Sequence, residues 1–212
     1  TGDKPFNIFA RCAVGATVQP GMDEENAMLD DDDRSRFVMC SNRPEADAQW
    51  ESGEEEWVGE ASMSKRHRFL TTKDLRWEWF NVLTFGLDGG LADAVELIER
   101  LRAAALGYAR RSDGWSEDEV ELRFHVYGHA SVPSLHLHVL DRRHLGPTHA
   151  ALAFKNLALD DALAVLREEL QAETQAEAPA EPAAPPKPAT TVPIKDRPFM
   201  RGTTSSGLAS GA

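Results

Sequence analysis

Cysteine is nearly absent from this 212-residue chain, with two residues, Cys12 and Cys40. Two thiols cannot build the disulfide framework of a small secreted domain, which fits a reducing compartment. Long apolar runs are missing too, and none approaches the ~20 residues a bilayer-spanning helix needs. No charged-then-apolar leader opens the sequence, although Thr1 is not an initiator and says nothing of a removed one. The expected location is intracellular, cytoplasmic or nuclear, with no membrane partner. Basic residues are in deficit, 23 Lys+Arg against 35 Asp+Glu, a net charge of -12. A general nucleic-acid binder needs a basic face to displace counterions, so nucleic acid is not an expected partner. A small nucleotide is not excluded, because it meets one pocket rather than the net charge.

What remains is globular material. Hydrophobic residues make up 42% and charged residues 27% of the chain, enough for one core. The charge is unevenly placed: residues 21–60 hold 14 acidic and 3 basic side chains, including Asp30, Asp31, Asp32 and Asp33. Such runs repel themselves, so an acidic loop or insertion is expected within about 21–65, tethered by Trp50 and Trp57. The stretch 171–189 is almost entirely Ala, Pro, Glu and Gln, with five prolines that forbid a continuous helix. Residues 190–212 carry few large apolar side chains. The expectation is one domain over 1–170 and a disordered tail over 171–212.

Strands are expected at 6–14, 36–39, 67–71, 121–127 and 135–140. Apolar residues at Leu91, Val95, Ile98, Leu101, Ala105 and Tyr108 recur in steps of three and four, which predicts an amphipathic helix over 91–108. A second helix is expected over 160–170, N-capped by Asp160. Together these predict an α+β fold: an antiparallel sheet of about five strands with two main helices.

Seven histidines occur, and five of them fall between 125 and 144. In Ser134-Leu135-His136-Leu137-His138-Val139-Leu140, a strand puts Ser134, His136 and His138 on one face and the apolar residues on the other. Helix 91–108 should then cover the face opposite the histidines. Two imidazoles ~7 Å apart suit phosphate chemistry: one ring attacks phosphorus while its neighbour bonds a non-bridging oxygen. Two other readings stand beside this one. The strand could simply use histidine as its polar residue, or the rings could hold a metal with His125, His129, Asp141 or His144. No H-E-x-x-H or C-x-x-C spacing supports a metal, so neither metal nor cofactor is expected.

The segment from Phe124 to Leu140 resembles the histidine-triad (HIT) family, whose signature is His-φ-His-φ-His-φ-φ with φ apolar. The likeness is to its Hint-type branch, in which a Phe-His pair precedes a Ser-Val step and the triad. Weaker similarity extends over 6–170, through Ile8-Phe9, through His67-Arg68-Phe69-Leu70-Thr71-Thr72-Lys73, and through Phe154-Lys155-Asn156-Leu157. The chain departs from the family at the first triad position, which is Ser134. A frame over 136, 138 and 140 would instead leave Leu140 as the defect. Asn7 and Ala10 stand where some relatives carry a zinc-binding cysteine pair.

The resemblance implies an activity: hydrolysis or transfer at a purine nucleoside phosphoramidate or phosphoanhydride, through a nucleotidyl-histidine intermediate. It makes His136 the nucleophile and His138 the partner of the phosphoryl oxygens. It places His67 at the phosphate site from a neighbouring strand and Ser131 near the leaving group. Ser134 keeps a hydrogen bond but cannot carry positive charge. Phe9 and Ser41 fall on the nucleotide side, with Ser41 in the place of a ribose-binding acidic residue. His125 and His129 read as packing or rim residues, and His144 and His149 as solvent-facing. A homodimer is the implied assembly. The competing readings are a HIT-fold nucleotide-binding or interaction module with little turnover, and an aprataxin-like deadenylase, which the missing basic extension disfavours.

Overall fold

The alternating segment around His136 becomes β4 (His136–Asp141), the central strand of five. With β1 (Phe37–Ser41), β2 (His67–Thr72), β3 (Val120–His125) and β5 (Asn156–Ala158) it forms one sheet of order β1-β2-β4-β3-β5. Every neighbouring pair is antiparallel. The computed structural model describes residues 8–77, 90–126, 132 and 134–177. The expectations for Tyr127, His129, Ser131 and 178–212 lie outside the described residues.

Alternation gives the sheet two unlike faces. Phe37, Met39, Leu70, Leu137 and Val139 point to one, where α5 (Leu91–Asp113) and α7 (Leu159–Glu177) cover them. The spacing of three and four along α5 buries Leu91, Val95, Ile98, Leu101, Ala105 and Tyr108 on a single stripe. Each large side chain on that stripe contributes about 1.5–3 kcal/mol through burial. The helix stops at Gly114, whose φ of 67° is left-handed and lets its N–H bond back to the Arg110 carbonyl. Val38, Cys40 and Phe69 point to the other face, where α1 (Ile8–Ala13) packs Phe9, Cys12 and Ala13 onto them. The histidines of β4 share that second face, so α5 lies opposite them, as the alternation implied.

Three expectations are corrected. The described part of the strand expected at 6–14 is not a strand: it is α1, which buries Phe9, Ala10, Cys12 and Ala13, a helical spacing. Within the acidic stretch the run at Asp30 is not loop, because it caps and opens α3 (Asp31–Arg36), with α2 (Met22–Ala27) and α4 (Pro44–Ala48) on either side, whereas 49–66 forms neither helix nor strand. Asp30 caps α3 by accepting the Asp33 N–H, and the acidic first turn faces the positive end of the helix. Finally, α7 continues through Glu177, so residues 171–177 belong to a helix and not to a tail.

The insertion after α4 is seated on the segment that follows β4. Gly59 N–H donates to Thr148 Oγ1 at 3.1 Å, and Thr148 Oγ1 donates to the Trp57 carbonyl at 3.2 Å. Lys65 N–H bonds the His144 carbonyl and Gly146 N–H the Met63 carbonyl. Trp50 stands edge-on to His144, with ring centroids 6.4 Å apart. Both tryptophans therefore tether the insertion, Trp50 through its ring and Trp57 through its backbone.

Candidate functional site

Four imidazoles from three adjacent strands meet on the face away from α5. β4 supplies His136 and His138, β2 supplies His67 and β3 supplies His125. The register dictates the meeting: Phe69 and Arg123 flank His138 from the two neighbouring strands, and His67 and His125 each lie two residues from a flanking position. The His138 ring centroid is 3.9 Å from that of His125, 5.0 Å from His136 and 5.1 Å from His67. Phe69 lies 4.4 Å from His67 and 5.0 Å from His138, and Phe9 of α1 lies 4.5 Å from His136. Two phenylalanines thus pack the rings into fixed orientations, and His67, His136 and His138 are all buried.

The hydrogen bonds decide where the protons sit. His136 Nδ1 is 2.7 Å from the carbonyl of Ser134, which can only accept, so Nδ1 carries the hydrogen. The neutral ring then keeps a lone pair on Nε2. For His138 the chain of partners runs the other way. The Met63 backbone N–H donates to His67 Nδ1 at 3.2 Å, so His67 holds its hydrogen on Nε2. That nitrogen is 2.9 Å from His138 Nδ1 and donates to it. The His138 hydrogen is left on Nε2, a buried atom with no hydrogen-bond partner among the described residues. Adjacent residues of one strand face thus offer opposite polarity: an acceptor at His136 Nε2 and a donor at His138 Nε2.

Burial keeps the rings neutral. Desolvation depresses His136 to about 4 and His125 to about 3. It holds His67 and His138 well below the ordinary histidine range, with neighbouring imidazoles and basic side chains adding to it. Neutral His136 is therefore the resting form at neutral pH.

His125, His136 and His138 each place one ring nitrogen within 4.8 Å of the others, a spacing a metal ion can bridge. The proton pattern argues against that use. A metal needs a lone pair from every ligand, and the inward nitrogen of His138 carries hydrogen. Moving that hydrogen to Nδ1 would set two N–H groups against each other, at His67–His138 or at Met63–His67. The charge of Lys155 also disfavours a cation on these rings. The arrangement suits an anion.

The other expected positions divide. Ser134 is buried immediately before β4 and works through its carbonyl, while its hydroxyl has no partner among the described residues. Phe9 reaches the site, but its ring is buried on His136 and Phe69. Ser41 does not reach it. It pairs with Arg68 on the opposite sheet face, and its hydroxyl donates to the Pro20 carbonyl at 3.4 Å. His144 is half-exposed beside Asp141, whereas His149 is not solvent-facing, being bound 2.7 Å from Glu121 with a largely covered ring. His125, read as a rim or packing residue, is in the cluster. Strand parity held the signal for it, because Arg123 stands opposite His138 and His125 shares the Arg123 face. Comparison with family models, with curated proteins and with solved structures returns no match.

Proposed function

We propose that the chain is a HIT-type nucleotide hydrolase or transferase, cleaving a purine nucleoside phosphoramidate or phosphoanhydride through a nucleotidyl-histidine intermediate. The observation that carries this reading is the opposite polarity of His136 Nε2 and His138 Nε2, each set by a backbone group. His136 Nε2 attacks the α-phosphorus and forms a P–N bond. The bond from phosphorus to the leaving group breaks, and that group departs with the electron pair and takes up a proton. Water then attacks the adduct, releasing the nucleoside monophosphate and restoring His136. Throughout, His138 Nε2–H donates to a non-bridging oxygen as negative charge builds, and His67 keeps that donor in place. One such donor is worth roughly 10²–10³ in rate.

The second reading, a binding module with little turnover, draws on Ser134, whose hydroxyl cannot supply the charge of an imidazole. Incubation with labelled adenosine phosphoramidate separates the two. AMP release that vanishes in His136→Ala supports the enzyme, and binding without release supports the module. A label trapped on His138 would remove His136 from the nucleophile's role.

A further inference from the structure

The third imidazole missing from the β4 pattern has a counterpart in space. His125 projects from β3 onto the same face, its ring centroid 3.9 Å from His138 and 6.3 Å from His136. One of its nitrogens falls within 4.8 Å of nitrogens on both. Its Nε2 is buried with no hydrogen-bond partner among the described residues, as is His138 Nε2, while the Asn156 side chain beside the ring favours its protonated form. Leaving a buried polar atom unpaired costs roughly 1–3 kcal/mol, and here two such atoms belong to rings whose centroids are 3.9 Å apart. Atoms that are orphaned one by one, yet clustered around a lone-pair nitrogen, describe a binding place for a small group rich in acceptors.

We infer that His125 is a further phosphoryl-binding catalytic residue, the imidazole from β3 that occupies the role left by Ser134 on β4. With its hydrogen on Nε2, the neutral ring donates to a non-bridging oxygen of the group that His136 attacks, alongside the donor of His138. The substrate feature it recognises is a tetrahedral phosphoryl centre whose charge grows as the bond to His136 forms. Lys155, buried just before β5, supplies the positive potential that a set of neutral rings lacks: its charge opposes protonation of His125, His136 and His138. The same potential stabilises an anion held among them. This inference rests on the proposed phosphoryl chemistry and adds a residue to it.

The test uses the full chain with His125→Asn, His125→Leu and His136→Ala, each checked for an unchanged thermal transition. AMP affinity is read by calorimetry and adenosine phosphoramidate turnover by AMP release. His125→Leu should lower kcat roughly a hundredfold, the effect of losing one oxyanion donor, and weaken AMP binding. His125→Asn keeps an N–H donor and should recover part of both. If His136→Ala abolishes turnover while His125→Leu leaves kcat and AMP affinity unchanged, the role of His125 falls and the reaction stands. If turnover survives His136→Ala, the reaction itself falls; a loss of AMP affinity in His125→Leu then still marks His125 as a phosphoryl ligand. Stoichiometric Zn²⁺ binding lost in both the His125 and His136 variants would make the cluster a metal centre and overturn the inference.

Discussion

The Met63 backbone N–H donates to His67 Nδ1 at 3.2 Å, and through His67 it fixes the tautomer of His138. Met63 belongs to the insertion between α4 and β2, and its carbonyl is held in turn by the N–H of Gly146. The insertion is therefore part of the site's proton arrangement. A backbone amide cannot change tautomer, so it anchors the direction of the whole chain of bonds.

His67→Phe tests the relay. Phenylalanine keeps a planar ring but removes the hydrogen that His138 Nδ1 accepts, so His138 becomes free to carry its hydrogen on either nitrogen. Loss of an outer partner that orients a working imidazole costs about 10–100-fold where such effects are known. A fall of about tenfold in kcat is expected, with mixed His138 tautomers in ¹⁵N spectra. A single unchanged tautomer would show that Met63 and His67 do not set it.

Under the proposed chemistry, the acid limb of the rate profile follows from His136. His136 must be neutral to attack, and burial places its pKa at about 4 against an ordinary value of about 6.5. The acid-side fall in kcat/KM should centre near 4, leaving the enzyme active at pH 5.5. A limb centred at 6.5 would mean that His136 is hydrated in the working form.

Much of this was readable in the sequence where one element carried the whole pattern. The two-residue alternation through His136 and His138 and the three-and-four spacing of α5 both survive folding because each buries one face. Helix α1 was not readable in that way. Its apolar residues, Ile8, Phe9, Ala10, Cys12 and Ala13, form a run too short for periodicity to tell helix from strand. The acidic run at Asp30 misled through its charge, although the same residues are good cap and first-turn residues. His125 reads from sequence as a packing or rim residue or a candidate metal ligand; its place in the cluster comes from the pairing of β3 with β4, a relation between strands that no local window contains.

Gly146→Ala probes the seat of the insertion. A Cβ at this position would overlap the Trp50 backbone carbonyl, while meeting the Trp50 ring at an ordinary contact distance of 3.5 Å. Overpacking against backbone costs about 1–3 kcal/mol, so the thermal midpoint should fall by roughly 2–10 °C. If kcat falls as well while the fold persists, the displaced insertion has carried Met63 away from His67. An unchanged midpoint would show that Trp50 does not pack there.

Glu25 gives the last expectation. It is buried in α2 and receives Arg68 Nε at 2.7 Å, Arg66 at 3.1 Å and the Tyr108 hydroxyl. Burial pushes its pKa upward, but the bonds from Tyr108 and Arg68 and the two guanidinium charges outweigh burial and hold it below the ordinary carboxylate range. Tyr108 moves the opposite way, to about 12, through burial and the adjacent carboxylate. With the folded pKa of Glu25 depressed, the unfolded chain binds its proton first. The stability contributed by Glu25 is thus complete above about pH 4.3 and is lost as pH falls through the folded value. The buried histidines act in an earlier window. Their folded pKa values are also depressed, so their stabilising contribution begins to fade below about 6.5 and, for His136, is spent near 4. Acid destabilisation should therefore begin below about 6.5 and steepen below about 4.3, with the histidine window running on beneath that of Glu25 because His125 sits near 3 and His67 and His138 are also held low. Glu25→Gln should cost about 3 kcal/mol at pH 7, because it leaves two arginines short of a partner. It should remove the added steepening below about 4.3, and leave the histidine-driven loss, in a series of urea melts between pH 3 and 7. If the variant and the parent lose stability in parallel down to pH 3, Glu25 is not ionised in the fold.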